Sequence, residues 1–411
     1  MVKIINRTVF ILSGVSFFAD VASEMLYPVV PIYLKEIGFS VFLIGVLEGV
    51  AEATAGLSKG YFGKRSDEKG LRLPYIKSGY FLSALSKPMM ALLTYPLWIF
   101  LARTIDRLGK GLRTAARDAL LSQNATPATK GRVFAFHRSM DTLGAVLGPV
   151  IAMAFLYFLP GRYLWLFYLA FIPGLLAVAL TFILKEKKQP SATLPKGHFF
   201  SFFRYWSVAT PEYKKLVAGL LLFALINSSD VFLLLKTREL TANDSLTIGT
   251  YIFYNLVYAA AAYPLGLLAD RWGFKRVFVA GLFLFALVYG LFGFAGSALV
   301  AFIGFFIYGV YAAATESLAK AWITQTAPAT DLATAIGFYT SCQSLCSLLA
   351  SAFAGFLWTT FNSTTTFAVS AATAIVVAIY FLLLKGRAKI VSAPGTYFGT
   401  VIAFLLLRII L

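Results

Sequence analysis

The sequence is poor in the residues on which soluble enzymes and metal centres depend. Its 411 residues include two histidines and two cysteines, and 13% are charged, against about 25% in an average soluble domain. His137 and His198 do not follow a metal-ligand spacing such as H-x-x-x-H. Cys342 and Cys346 lie four apart on one apolar segment, where we predict small core residues. A phosphate loop and a nucleotide fingerprint are also lacking. We therefore expect no enzyme activity, no cofactor and no bound metal.

Long apolar segments dominate instead, and 59% of the residues are hydrophobic. Twelve segments are long enough to cross the roughly 30 Å hydrocarbon core as helices. We predict them near residues 8–34, 41–62, 74–94, 96–120, 133–158, 163–184, 217–235, 247–269, 275–295, 298–322, 333–358 and 364–385. The sequence thus predicts an all-α membrane protein with twelve transmembrane helices.

The net charge of +18 would suggest nucleic acid as a partner if the protein were soluble. Here the basic residues crowd alternate connections, as in 64–72, 130–132, 185–215 and 271–276, while the opposite connections hold few. Basic residues favour the cytoplasmic side of a membrane. We predict a multi-pass protein of the plasma membrane with both termini in the cytoplasm, in contact with lipid but not nucleic acid, and we expect a monomer.

The two halves of the chain resemble each other. Residues 126–129 (TPAT) match 327–330 (APAT) at an offset of 201, and 63–72 match 266–275 at an offset of 203. Repeats of this kind predict two homologous bundles with a substrate site between them. We predict an N-terminal six-helix bundle at 1–184, a cytoplasmic central loop at 185–216, a C-terminal six-helix bundle at 217–388 and an apolar, interfacial tail at 389–411.

A motif is repeated after the second and the eighth span. The first copy holds Gly63, Asp67, Gly70 and Arg72, and the second holds Gly266, Asp270 and Arg271. Both copies resemble the G-x-x-x-D-R-x-G-R-R loop of the major facilitator superfamily. The resemblance implies two pseudo-symmetric six-helix bundles, secondary active transport by alternating access, and a gating role for the motif residues. Asp67 and Asp270 are expected to cap a helix end and to pair with basic residues.

A second motif lies in the fifth span, where Gly144, Gly148 and Pro149 resemble the G-x-x-x-G-P packing motif of antiporter branches. Glycines four apart allow close helix contact, and the proline bends its helix. Segments such as Asp20–Pro28 and Arg107–Asp118 further resemble a prokaryotic branch that is loosely associated with drug or metal efflux. The resemblance favours export over import.

The fourth span carries charges at helical spacing, from Arg103 to Arg117, on one face. A charge at mid-bilayer costs about 2.5–3.5 kcal/mol, so this face is expected to meet protein or a water-filled cavity. Acidic pairs at i, i+4 lie in the first two spans. We predict proton coupling at Asp20, Glu24, Glu48, Glu52 and Asp106. An alternative is a permanent salt-bridge lattice that holds the N-terminal bundle together.

The substrate is expected to lie between the halves. We predict substrate contacts from Arg103, Arg107, Lys110, Asn227, Asp230, Tyr254, Asn255, Glu316 and Gln343. Aromatic and polar groups together suit a small organic molecule. The leading hypothesis is proton-coupled export of such a molecule. Two alternatives stay open: efflux of a divalent metal through the same carboxylates, and a receptor or lipid-handling protein without transport.

Overall fold

The computed structural model describes residues 5–27, 29–38, 41–186, 188, 199–228, 230–241 and 244–384. Side chains are described for these residues except 31, 32, 35, 36, 41–50, 52, 53, 231, 238, 244, 245, 248 and 359. Fifteen α-helices form in this part of the chain. They are α1 (Arg7–Glu24), α2 (Val29–Glu36), α3 (Val41–Lys69), α4 (Leu73–Leu92), α5 (Pro96–Gln123), α6 (Lys130–Phe158), α7 (Tyr163–Ile183), α8 (Tyr205–Val208), α9 (Pro211–Ala224), α10 (Val231–Thr241), α11 (Asp244–Trp272), α12 (Phe274–Gly293), α13 (Ala298–Thr326), α14 (Leu332–Thr360) and α15 (Ser363–Leu383).

Seven helices in the described part of the chain are long and apolar enough to cross a membrane. They are α6, α7, most of α11, α12, α13, α14 and α15. The long helices α3, α4 and α5 are less apolar. Their charged residues include members of the buried ion pairs described below. The predicted apolar tail at 389–411 lies outside the described residues.

Two predicted spans are each divided into two helices, which corrects the continuous spans expected from hydropathy. The span at 8–34 becomes α1 and α2, because the chain turns at Met25–Tyr27 ahead of Pro28. A residue before proline disfavours the helical conformation, so this break has a local cause. The span at 217–235 becomes α9 and α10, because the helix ends in a turn at Leu225 and Ile226 that is followed by non-helical residues Asn227 and Ser228.

Most of each motif is helical rather than a loop, and of the named residues only Gly70 and Arg72 lie beyond a helix end. Gly63 and Asp67 lie within α3, and the second copy lies within α11. Each helix ends at a glycine of its motif, Gly70 with φ 64° and Gly273 with φ 90°. A residue with a Cβ is strained at these φ values, so glycine stops the helix there.

Each half has an apolar core, and a third apolar cluster joins residues of both halves. In the N-terminal half, α1 packs on α6 and α7, and α4 packs on α5 and α7. In the C-terminal half, α12 packs on α13 and α15, and α11 packs on α13. The C-terminal core is rich in stacked and edge-on aromatic rings, such as Phe285 on Tyr289 and Phe292 against Phe305.

The halves meet along two long helix pairs, α3 with α14 and α6 with α11. We use the name inner end for the end of these pairs that holds Asp67 and Asp270. Glycines let the backbones touch there. A Cβ on Gly63 would lie 2.4 Å from the Ala333 carbonyl oxygen, and a Cβ on Gly266 would lie 2.6 Å from that of Gly131. No larger residue fits without moving a backbone apart.

Candidate functional site

Asp67 joins the end of α3 to the start of α14 at the inner end. Its carboxylate Oδ2 accepts hydrogen bonds from the Thr334 backbone N–H at 2.6 Å and from the Thr334 hydroxyl at 2.7 Å. Asp67 and Arg72 are both fully buried, and the Arg72 guanidinium forms an ion pair with Oδ1 of Asp67. The start of a helix presents free N–H groups and partial positive charge, which an anion stabilises. Asp67 thus ties the N-terminal half to the C-terminal half.

Asp270 makes the mirror contact from the C-terminal half. Its carboxylate accepts hydrogen bonds from the backbone N–H groups of Gly131 at 2.7 Å and Arg132 at 3.0 Å, at the start of α6. The Arg132 side chain pairs with it at 2.9 Å. Both motif aspartates therefore cap a helix of the opposite half. Arg271, which follows Asp270 in the second copy, forms no hydrogen bond or ion pair with the residues that the structure describes.

The first motif also anchors α4, which sequence reasoning missed. The carboxylate of Glu186 accepts hydrogen bonds from the backbone N–H groups of Arg72 and Leu73 at 2.8 Å. Glu68, where the family motif has a basic residue, pairs within its own helix with Arg65 at 3.1 Å. The unusual residue is therefore neutralised locally and leaves the Asp67 contact intact.

Further from the inner end, one arginine bonds to three side chains, two of which belong to the other half. Arg138 on α6 donates from Nη1 to Asp141 at 2.8 Å, from Nη2 to Glu316 on α13 at 2.7 Å and from Nε to the Tyr258 hydroxyl on α11 at 2.6 Å. Tyr258 in turn donates to Glu316 at 2.8 Å. The side chains of Arg138 and Glu316 are 36% and 40% exposed. A charged pair this open inside an apolar helix array indicates a water-filled cavity.

A second ion pair crosses between the halves one turn closer to the inner end. Lys320 on α13 donates to the Asp118 carboxylate on α5 at 2.8 Å, and Arg117 pairs with the same carboxylate at 2.9 Å. Asp118 is 1% exposed. Glu316 and Lys320, four apart on one face of α13, thus meet an arginine and an aspartate of the other half. The charges are complementary along the whole face.

Asp106 lies in a separate network inside the N-terminal half. Lys87 on α4 pairs with it at 2.8 Å, Arg103 approaches its other oxygen at 3.9 Å, and the Ser86 hydroxyl donates to it. Arg113 donates to Ser83 nearby. All these groups are buried. For Asp106 and Arg103 the geometry favours the lattice alternative over a role in proton movement or substrate contact.

Asp106→Asn is expected to destabilise the protein by about 3–5 kcal/mol, because Lys87 would be left buried without a counter-charge. Thermal unfolding of the purified protein in detergent measures this. The matched control is Glu239→Gln, which removes an exposed partner of Lys236 and should cost less than about 1 kcal/mol. Equal unfolding temperatures for the two variants would contradict the lattice.

Four other predicted residues lie near one another on α1 and α5. Lys110 is exposed at the middle of α5, and Arg107, Asp20 and Glu24 are half-buried. Both Asp20 and Glu24 interact electrostatically with Lys110. These four residues therefore form a cluster of mixed charge on α1 and α5. The side chains of Glu48 and Glu52 lie outside the described residues.

The predicted residues of the C-terminal half divide into two groups. Tyr254 and Asn255 are buried, and Asn255 donates to the Tyr251 carbonyl at 3.0 Å. The Tyr254 and Tyr308 rings are in contact, with centroids 5.1 Å apart and planes tilted by 39°. Asn227, Asp230 and Gln343 are half-buried, and Glu316 is exposed beside Arg138. Glu316 forms its ion pair with Arg138, a charged group of the other half.

The packing motif of α6 faces α1. A Cβ on Gly144 would lie 2.4 Å from the Phe17 carbonyl oxygen, and one on Gly148 would lie 2.6 Å from the Met25 backbone nitrogen. Pro149 is buried within α6. The two glycines therefore set how closely α1, which carries Asp20 and Glu24, approaches α6.

Five partners in this region were absent from the predicted site: Asp118, Arg138, Asp141, Tyr258 and Lys320. The charges in apolar segments gave a signal for four of them, but spacing along one helix does not reveal pairing with another. As for the metal alternative, the described residues contain no group of three or more His, Cys, Asp or Glu side chains that could hold an ion.

Comparison with known proteins agrees with this architecture. The family model described as Major Facilitator Superfamily matches residues 12–252 and 237–397. The uncharacterized MFS-type transporter MJ1317 of Methanocaldococcus jannaschii is 29% identical over 360 residues, covering 86% of this chain and 89% of the relative. The multi-drug resistance efflux pump PmrA homolog of Lactococcus lactis is 26% identical over 157 residues, 37% of this chain and 38% of that protein.

Among solved structures, the human organic anion transporter MFSD10 (TETRAN) superposes with a TM-score of 0.77. The match covers 91% of this chain and 99% of that one at 15% identity. At this identity the likeness concerns the fold alone.

Proposed function

The chain belongs to the major facilitator superfamily of membrane transporters, and from this premise we propose that it exports a small organic molecule in exchange for protons. The proposed architecture has twelve crossings, ten by single helices and two by the divided pairs α1–α2 and α9–α10. Residues 1–184 and 217–388 form the two bundles. The inner end faces the cytoplasm, since the basic connections lie there.

The observation that carries the proposal is the set of charges between the bundles. Arg138 and Glu316 meet across the interface while more than a third of each side chain stays exposed. The helices that carry them, α6 and α13, are among those apolar enough to cross a membrane. Charge in such helices is stable only beside protein or water, so a solvent path reaches the interface.

The contacts between the halves support the proposed alternating access. Asp67 and Asp270 close the inner end by capping helices of the opposite half. Both caps consist of hydrogen bonds at helix starts, which are local and can be broken without unfolding either bundle. The arrangement seen here is therefore proposed to be the state closed to the cytoplasm, and breaking both caps opens the other path.

Two further observations support the proposed direction of transport and the proposed substrate. Relatives include a protein named as a multi-drug resistance efflux pump, although this chain spans about two fifths of it. Glu24 on α1 interacts electrostatically with Lys110 and Arg107 of α5 and also with Tyr251 of α11. Such a surface suits an organic molecule that has an apolar body and a polar or acidic group.

A pH-sensitive dye trapped in proteoliposomes tests the proposal. The panel consists of aromatic acids, zwitterions and cationic dyes. We expect some of these compounds to change the internal pH when an inward or outward gradient of the compound is imposed. Glu24→Gln should abolish the change while the protein stays folded. Protein-free liposomes are the control. Transport that proceeds equally well without a pH gradient would contradict proton coupling.

A further inference from the structure

The ion pair between Arg138 and Glu316 lies near the middle of two long helices. Arg138 comes eight residues after the start of α6, and Glu316 comes ten residues before the end of α13. These two helix ends meet near the inner end, where Lys130 donates to the Thr324 carbonyl. A helix rises about 1.5 Å per residue, so the pair lies about 12–15 Å along the helices, close to half of the roughly 30 Å hydrocarbon core. Substrate sites between homologous bundles lie near this depth.

The two carboxylate partners of Arg138 differ in their access to water. The side chain of Asp141 is 10% exposed, and it accepts hydrogen bonds from Arg138 and from the Ser16 hydroxyl. The side chain of Glu316 is 40% exposed. A buried ion pair is costly to break, whereas an exposed pair contributes little because water competes for it. Asp141 therefore fixes Arg138 in place, and Glu316 is the partner that another anion can replace.

Two donors converge on the Glu316 carboxylate. Arg138 Nη2 donates to Oε2 at 2.7 Å, and the Tyr258 hydroxyl donates to the same oxygen at 2.8 Å. The Arg138 guanidinium also lies over the Tyr258 ring, 4.9 Å from its centroid. Hydrogen bonds to a carboxylate from such groups are strong, because the acceptor and one donor are charged. Glu316 thus occupies a carboxylate-binding position that residues of both halves build.

A molecule that takes this position must also satisfy Glu316. Lys320, the basic residue of α13, is already paired with the buried Asp118. A carboxylate without a counter-charge is unfavourable among apolar helices, so the incoming molecule has to bring a positive group as well. We propose that Arg138 and Tyr258 bind the carboxylate of a zwitterionic substrate and that Glu316 binds its ammonium group. This inference rests on the proposed function, because it names the class of organic molecule that is exported.

Aromatic side chains continue from this site along α11. Tyr254 and Tyr251 follow Tyr258 in the direction away from the inner end, and successive ring centroids are 6.2 Å and 6.0 Å apart. Tyr251 is half-buried, whereas the other two are buried. Tyrosine rings offer apolar surface together with a hydroxyl, which suits the apolar body of the substrate. A zwitterion carries no net charge, so its binding leaves the charge balance between the halves unchanged.

Ligand binding to the purified full-length protein in detergent tests the site without transport. Two sets of compounds share a body and differ in charge: tryptophan, indole-3-propionate and tryptamine, and leucine, 4-methylpentanoate and 3-methylbutylamine. The rise in unfolding temperature with ligand concentration gives the affinity of each compound. In at least one set we expect the zwitterion to bind about tenfold more tightly than the acid or the amine, since each of these lacks one charge-assisted contact. Equal affinities within both sets, or no binding by either zwitterion, would overturn the inference.

Substitution of the two charges should change the preference in opposite directions. Glu316→Gln removes the ammonium partner, so the acid should bind as tightly as the zwitterion. Arg138→Gln removes the carboxylate partner, so the amine should bind as tightly as the zwitterion. Glu239→Gln is the matched control, because Glu239 is a similarly exposed carboxylate paired with Lys236, and it should keep the wild-type preference.

The two variants carry different risks of misfolding. If Arg138→Gln does not fold because Asp141 is left unpaired, Glu316→Gln decides alone, because Arg138 then keeps its bond to Asp141. An unchanged preference for the zwitterion in Glu316→Gln would mean that the pair is only a permanent contact between the halves.

Measurement of internal pH in proteoliposomes with the same compounds, against protein-free liposomes, separates this inference from the proposed function. Gradient-driven pH change without any preference for zwitterions would leave proton-coupled transport standing without this site. Binding with the expected preference but without gradient-driven pH change would keep the site and contradict the coupling.

Discussion

Replacing Asp67 and Asp270 together by asparagine is expected to open the inner end of the molecule. Each aspartate accepts two hydrogen bonds at a helix start of the opposite half and pairs with an arginine. Loss of the negative charge should cost about 2 kcal/mol at each site, which corresponds to a roughly 30-fold larger open population per site. The two sites lie on different helix pairs, so their effects should add.

Labelling of a buried cysteine measures this opening. Ser341 is fully buried between α14 and α3, where its hydroxyl bonds the Gly56 carbonyl oxygen. Ser341→Cys, in a background with Cys342 and Cys346 replaced by alanine, should react with a hydrophilic thiol reagent much faster in the double variant. Glu68→Gln is the control, because Glu68 pairs only within α3 in the contacts described. Equal labelling rates in the double variant and the parent would contradict the clamp.

Arg138→Lys is expected to abolish gradient-driven transport although it keeps the positive charge. Arg138 uses three different nitrogen atoms for Asp141, Glu316 and Tyr258. A lysine ammonium is a point charge and cannot reproduce this planar fork. Leaving one buried partner unpaired costs about 3 kcal/mol or more, so the transport rate should fall about 100-fold.

The internal-pH assay in proteoliposomes measures the effect of Arg138→Lys. Lys236→Arg is the matched control, because Lys236 forms an ion pair with the exposed Glu239. This variant should transport at the wild-type rate. Glu316→Gln should give an intermediate loss, since Arg138 would keep Asp141. Wild-type transport by Arg138→Lys would show that charge alone suffices and that the fork has no role.

The charged face of α5 shows how much of the site the sequence predicts. The helical spacing from Arg103 to Arg117 indicated that these charges avoid lipid, and in the structure Arg113 and Arg117 bond to serines of α4 and α1. The spacing left open whether they form a lattice or line a cavity. Asp106 lies in a buried lattice with Lys87, whereas Lys110, one turn further along, is exposed. Two residues of one stripe differ because different helices pack against them.

By itself, the sequence determined the helical membrane architecture, most helix boundaries, the family and the two repeated motifs. These features depend on local composition and on spacing along the chain, which a single sequence records. The tertiary structure decided the partners: that Asp67 and Asp270 cap helices of the opposite half, that Arg138 joins Asp141 to Glu316, and that Lys320 pairs with Asp118. Each of these contacts joins residues more than 100 positions apart, apart from the pair within α6. Only the packing of helices, set by glycines such as Gly63, Gly144 and Gly266, brings such groups within hydrogen-bond distance, and sequence spacing carries no record of it.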